Sequence, residues 1–215
     1  MKPLPLLYPG DLFAISMKSF ISRISTTWVR PHTRMYHFGM IVDKTPNDYL
    51  VLESILVDPI TNNLYWSNLI KNSVRQSPLS LYDGFPMTIL RPNLPGSADN
   101  QTRLRNKAVH NMYNLTHVGY DAEGLMQKAV KNYFTMGKPP WDFDRIKKNP
   151  EPRYTCIGTV TKAWEDAGYP IIPPGVYPLP AAIENSVRTG RLTIIYRDKF
   201  NKKALAIPPS KMNDN

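Results

Sequence analysis

Two stretches carry apolar and β-branched residues too densely for one helix face: residues 35–43 (MYHFGMIVD) and 49–56 (YLVLESIL). They flank Lys44-Thr45-Pro46-Asn47-Asp48, a turn-forming cluster, and together predict a β-hairpin. A third strand is predicted over 87–91 (MTILR), closed off by Pro92 and Pro95, and a last one over 192–197 (LTIIYR). Helical spacing holds over 100–117, where Leu104, Ala108, Met112 and Leu115 fall on one face. It continues over 121–136 through Leu125, Ala129 or Val130, and Phe134. A further helix is predicted over 156–167, with Gly168 as its C-terminal cap. Residues 138–153 read as a loop rich in proline and charge, and residues 200–215 as a polar, loose tail to one domain over 1–199. Strands followed by helices predict the α+β class, a small antiparallel sheet packed against helices.

Composition narrows the picture. A chain of 215 residues suits one good-sized domain, and 42% hydrophobic content with 11% aromatics excludes a disordered chain. The single cysteine, Cys156, excludes an internal disulfide framework and a cysteine-based zinc site. The histidines do not stand at ligand spacing with carboxylates, and no phosphate-binding glycine loop is present, so neither metal nor cofactor is expected.

The net charge of +10 comes from 27 basic and 17 acidic residues spread along the chain. No run reaches the length of a nucleic-acid arm, and no nucleic-acid-binding motif accompanies it, so no specific nucleic-acid partner is expected. A basic solvated surface and an acidic polymer or membrane surface as target both remain open. Pro3, Pro5 and Pro9 interrupt the apolar residues before Asp11, and five prolines interrupt the charge-free run over 167–183. Neither a secretory leader nor a transmembrane segment is therefore expected, and synthesis in the cytoplasm is.

Cys156 stands where a helix should begin, after Pro150, Pro152, Arg153 and Tyr154. A helix N-terminus lowers a thiol pKa through its dipole and free N–H groups, so a nucleophile and a buried core filler are both open there. A base must accompany a nucleophile. His110 and His117 lie on the helix over 100–117, and His32 stands in a loop beside Pro31. His37 opens the strand HFGMIV, where Gly39 leaves space beside the imidazole for a reacting atom. Glu53 interrupts the apolar run of the partner strand, a costly place for an unpaired acid. A five-residue loop over 44–48 pairs Asp43 with Tyr49 and puts His37 diagonal to Glu53 on one face; a four-residue loop would turn Glu53 to the other. Cysteine, histidine and an orienting carboxylate form the general arrangement for thiol acyl transfer.

In this order His37, Glu53, Cys156, the chain resembles the circularly permuted branch of the NlpC-type, papain-like superfamily of cell-wall cysteine peptidases and amidases. The matching stretches are Tyr8-Pro9-Gly10-Asp11-Leu12, Ser19-Phe20-Ile21-Ser22-Arg23-Ile24, Tyr36-His37-Phe38-Gly39 and Val51-Leu52-Glu53-Ser54. They continue with Gly119-Tyr120-Asp121, Tyr154-Thr155-Cys156 and Tyr177-Pro178-Leu179-Pro180, and together span residues 6–196. The resemblance implies a permuted papain-like fold with Cys156 as nucleophile, His37 as base and Glu53 as the group orienting the imidazole. It also implies that Tyr120 helps hold the oxyanion, and that Gly10 and Asp11 support the sheet. Relatives usually follow the cysteine with a small polar residue and often an acid, whereas Ile157-Gly158 follow here.

The function this implies is a cysteine peptidase or amidase acting on peptide or amide bonds of bacterial peptidoglycan, an acidic target that suits a basic protein. A wall enzyme without a leader reaches the envelope as part of a virion, at lysis or by injection. A phage virion or tail-associated enzyme, with virion or tail proteins as partners, is the favoured form. Two alternatives stand beside it. One is a lipid- or acyl-directed thiol amidase or acyltransferase, since lecithin–retinol acyltransferase relatives share the permuted order. The other is a non-catalytic structural module on a peptidase scaffold.

Overall fold

Strands β1 (Leu12–Ile15), β2 (His37–Lys44), β3 (Tyr49–Ser54), β4 (Val74–Pro78) and β5 (Pro86–Pro92) precede the first long helix, α1 (Ala98–Asn114). These come from a computed structural model that describes residues 3–16, 35, 37–56, 58, 60–61, 63–69, 71–123, 153–176 and 178–206. Two-residue strands β6 (Gly119–Tyr120) and β7 (Arg153–Tyr154) follow, then α2 (Cys156–Asp166), α3 (Pro180–Arg188) and β8 (Leu192–Lys199). Short 3-10 turns cover Trp66–Leu69, Leu79–Tyr82 and Lys202–Ala206.

The class is α+β. Its centre is a six-stranded sheet of order β4-β3-β2-β1-β5-β8, in which every neighbouring pair is antiparallel. The predicted hairpin, the strand over 87–91 and the last strand are all present, the last two extended at their ends. The first six residues of β2 are all buried, because a central strand is covered on both faces and loses the apolar–polar alternation of an exposed one. One face packs Leu12, Phe38, Met40, Leu52 and Leu90 against Ala108 and Met112 of α1 and Val160, Ala163 and Trp164 of α2. The other packs Phe13, Ile15, Ile41, Val51 and Ile89 against Leu4, Leu7, Leu79, Tyr82, Tyr196 and Phe200. Each large apolar side chain buried in this way contributes ~1.5–3 kcal/mol.

The hairpin departs from its predicted turn. Its loop is four residues, with Lys44 opposite Tyr49 and Asp43 opposite Leu50, rather than five. Thr45 and Asp48 close it: the Thr45 N–H donates to the Asp48 carbonyl at 2.8 Å, and the Asp48 N–H donates to Thr45 Oγ1 at 3.0 Å. A bulge between Ile41 and Asp43 then absorbs one residue, and beyond it Ile41 faces Val51 and Gly39 faces Glu53. The predicted register is restored where the site lies.

Strand β1 was not foreseen because four apolar residues carry no period, nor β4 because VRQSP is mostly polar. Helix α3 begins with a proline in its first turn, inside a run that reads as proline-broken coil. Phe200, placed by sequence at the head of the loose tail, is buried in the core. The helix expected over 121–136 and the loop over 138–153 lie, except for 121–123 and 153, outside the described residues, as do Ser19-Phe20-Ile21-Ser22-Arg23-Ile24, His32, Tyr36 and Tyr177.

Asp11 and Gly10 lock the N-terminal segment to this frame. Asp11, fully buried, pairs with Arg91 of β5 at 2.7 Å and with Arg105 of α1 at 3.0 Å. Gly10 adopts φ +88°, and a Cβ there would stand 2.8 Å from the Trp164 ring. The Trp164 indole N–H donates to the Gly10 carbonyl at 3.2 Å, tying α2 to the same turn.

Candidate active site

Cys156 is the first residue of α2. Thr155 caps the helix, its hydroxyl accepting from the Gly158 N–H at 3.0 Å. Gly158 is confined rather than free: a Cβ would stand 3.2 Å from Thr155 Oγ1 and 3.4 Å from both Pro178 and Tyr154. The departure at Ile157-Gly158 therefore has a packing reason. Ile157 is buried in the core, and Gly158 lets the cap and Pro178 close on the helix.

Helix α2 packs on β2 and β3, which brings its N-terminus to the start of β2. There the imidazole of His37 meets the Cys156 side chain, close enough for each to shift the other's protonation. Its Nε2 lies 2.5 Å from Glu53 Oε2, so Nδ1 is the nitrogen left for the sulfur. Glu53 sits one diagonal step away because it pairs with Gly39. Gly39 does not leave room for a reacting atom, as its sequence position suggested. A Cβ there would stand 2.3 Å from Phe13 Cε1 and 2.7 Å from the Leu52 carbonyl oxygen, so the missing side chain makes room for the Phe13 ring.

Glu53 is fully buried and accepts from four side chains. Besides His37 they are Ser77 at 2.6 Å, Arg75 Nε at 3.1 Å, and the hydroxyl of Tyr82. Burial alone would raise this carboxyl, but the hydrogen bond and charge of His37, then Ser77 and Tyr82, hold it at about 2. Burial likewise pulls the imidazole down, yet the hydrogen bonds to Cys156 and Glu53 and their negative charge raise it to about 10. The thiol is pushed up by burial and pulled further down by the hydrogen bond and charge of His37, assisted by the Phe38 N–H and Tyr120. Each partner thus favours the charged form of the other, a thiolate beside an imidazolium.

Tyr120 reaches the sulfur through a two-residue parallel pairing of β6 with β7, in which Tyr120 stands opposite Tyr154. All four residues singled out from the sequence, Cys156, His37, Glu53 and Tyr120, thus meet in one place. His110 and His117 are exposed and take no part. Arg75, Ser77 and Tyr82 were missed. Alternation along β4 puts Arg75 and Ser77 on the Glu53 face once that strand is recognised, whereas no local signal marks Tyr82.

Among the described residues, no group of three or more His, Cys, Asp or Glu side chains is placed to hold a metal ion, and no helix is long and apolar enough to cross a membrane.

No protein-family model and no curated protein matches the chain. Among solved structures, the metalloprotein yiiX from Escherichia coli O157:H7, DUF1105, superposes with a TM-score of 0.48 at 15% identity, over 88% of this chain and 97% of that one.

Proposed function

We propose that this protein is a thiol hydrolase of the permuted papain-like, NlpC type that cleaves peptide or amide bonds, with bacterial peptidoglycan as its substrate. One observation carries the reading. A lone cysteine at a helix N-terminus lies beside a histidine that shifts its protonation and that is itself held through Nε2 by a buried glutamate. A cysteine serving only as core filler needs neither partner.

The Cys156 thiolate attacks the carbonyl carbon, forming a C–S bond and placing the negative charge on oxygen. The Cys156 N–H and the Tyr120 hydroxyl donate to that oxygen. His37, protonated at Nδ1, gives its proton to the departing amine as the C–N bond breaks, leaving a thioester. The neutral imidazole then takes a proton from water, whose oxygen displaces the thiolate and releases the acid. Glu53 keeps the proton on Nε2 and balances the imidazolium. The +10 net charge favours an acidic polymer such as the cell wall.

Incubation with purified sacculi tests the reading: the wild type should release free amino groups and Cys156→Ala none. No release by folded wild-type protein, with a small thiol-reactive ester still turned over through Cys156, would transfer the chemistry to an acyl-directed substrate. No turnover of either substrate would leave a non-catalytic module.

A further inference from the structure

Glu53 must stay ionised and aimed at His37 although it is fully buried, and two of its donors, Ser77 and Tyr82, are neutral hydroxyls. Among the described residues, only Arg75 brings it a second positive charge. Arg75 stands directly opposite Glu53 in the β3–β4 register, and its Nε donates to Glu53 Oε1 at 3.1 Å. Its Nη1 donates to Asp58 Oδ2 at 2.8 Å. Asp58 is itself fixed, because its Oδ1 accepts from the N–H groups of Ile60 at 2.8 Å and Thr61 at 2.9 Å. The third nitrogen, Nη2, is buried with no hydrogen-bond partner among the described residues. The guanidinium therefore takes its pose from the two carboxylates, leaving its third nitrogen unsatisfied.

We propose that Arg75 is a positioning residue of this site, a cation wedged between Glu53 and Asp58 that keeps Glu53 ionised and directed at His37. The proposal rests on the reading of Cys156 and His37 as the reacting pair. It extends that pair into a line of alternating charge: Cys156 thiolate, His37 imidazolium, Glu53 carboxylate, Arg75 guanidinium, Asp58 carboxylate. The groups facing Glu53 are His37 from β2, Arg75 and Ser77 from β4, and Tyr82 from the turn at Leu79–Tyr82. Phe13 from β1 packs against His37 and Tyr82 and adds no charge, and Tyr120 from β6 faces the sulfur. Without Arg75 the site keeps two neighbouring carboxylates and loses the cation between them. Every proton nearby is then held more tightly, and the thiolate forms only at higher pH.

The rate of Cys156 alkylation by iodoacetamide, followed against pH, reads this without any substrate. The wild type should stay reactive well below the ordinary thiol inflection near pH ~8.5. Arg75→Met should move its acid inflection up by at least about one pH unit, a roughly tenfold loss of rate at the foot of the curve. Arg75→Lys, which keeps the charge, should restore most of the difference. Asp58→Asn, which frees the guanidinium from its anchor, should shift the inflection by less than Arg75→Met. An unchanged inflection in folded Arg75→Met, with only a lower melting temperature, would make Arg75 a structural ion pair and overturn the proposal. Should Arg75→Met not fold, Arg75→Gln, which keeps a hydrogen-bond donor without the charge, takes its place, and an unchanged inflection in that variant overturns the proposal. A wild-type inflection at the ordinary thiol value overturns the reacting pair itself and the proposal with it, a result distinct from a depressed wild-type inflection that Arg75 does not move.

Discussion

Tyr120 pairs with Tyr154 in parallel register, and the Asp121 N–H donates to the Tyr154 carbonyl at 3.2 Å. Tyr154 lies two residues before Cys156, so the pairing carries the Tyr120 side chain to the sulfur from a position 36 residues earlier in the chain. A backbone ladder, more rigid than a side-chain contact, thereby fixes the distance between the two.

Tyr120→Phe should lower turnover by ~10²–10³, the usual cost of one oxyanion donor, or ~3–4 kcal/mol. KM and melting temperature should hardly change, since the aromatic ring is kept. Steady-state kinetics on the wall substrate, with active-site titration, check this. A lower melting temperature with intact turnover per folded molecule would make the hydroxyl structural.

The stability of the folded chain should carry the signature of the Cys156–His37 pair. Below ~8.5 the lowered thiol and the raised imidazole act in opposite directions, the first adding stability as pH rises and the second removing it. Above ~8.5 the unfolded pair loses its proton while the folded His37 keeps one up to about 10, so stability falls with rising pH over that span. Glu53, held at about 2, adds a further loss below ~4.3. Melting temperature followed from pH 4 to 10 tests this. In Cys156→Ala the imidazole loses the largest of the groups that raise it, so the decline between ~8.5 and about 10 should shrink or vanish. An identical alkaline limb in the variant would exclude the charged pair.

Gly39→Ala should destabilise the protein by ~1–3 kcal/mol or more through overpacking, since the new methyl meets Phe13 at 2.3 Å and the Leu52 carbonyl at 2.7 Å. Urea denaturation measures it. A neutral result would mean that the Phe13 ring moves aside at no cost.

Asp11→Asn should cost ~3–5 kcal/mol, because it leaves Arg91 and Arg105 facing a neutral group in place of their buried partner. The loss should appear in stability and not in the alkylation rate of Cys156 in the folded protein. A selective loss of that reactivity would place Asp11 in the site rather than in the frame.

The local pattern determined the strand pair around His37 and Glu53, the helix that Cys156 opens, and the α1 face with Ala108 and Met112 buried. These features are set by side-chain periods over a few neighbouring residues, and hydrophobic burial leaves few alternatives to them. What carries the site lay beyond that range. Glu53 shares a face with His37 because a bulge at residue 42 cancels a loop one residue shorter than the turn cluster suggests. Two local changes offset each other there, and only burial of both strand faces selects the combination that keeps Leu52 and Met40 inward. Gly39 reads as open space until β1 is known to lie beside β2 and to fill it with Phe13. Arg75, Ser77 and Tyr82 stand 22, 24 and 29 residues from Glu53 on segments with no strong period, and an ion or hydroxyl reveals its partner only when folding removes water from both. The residue types suited to thiol chemistry were written in the chain; the charge that each carries was decided by which of them tertiary packing buried together.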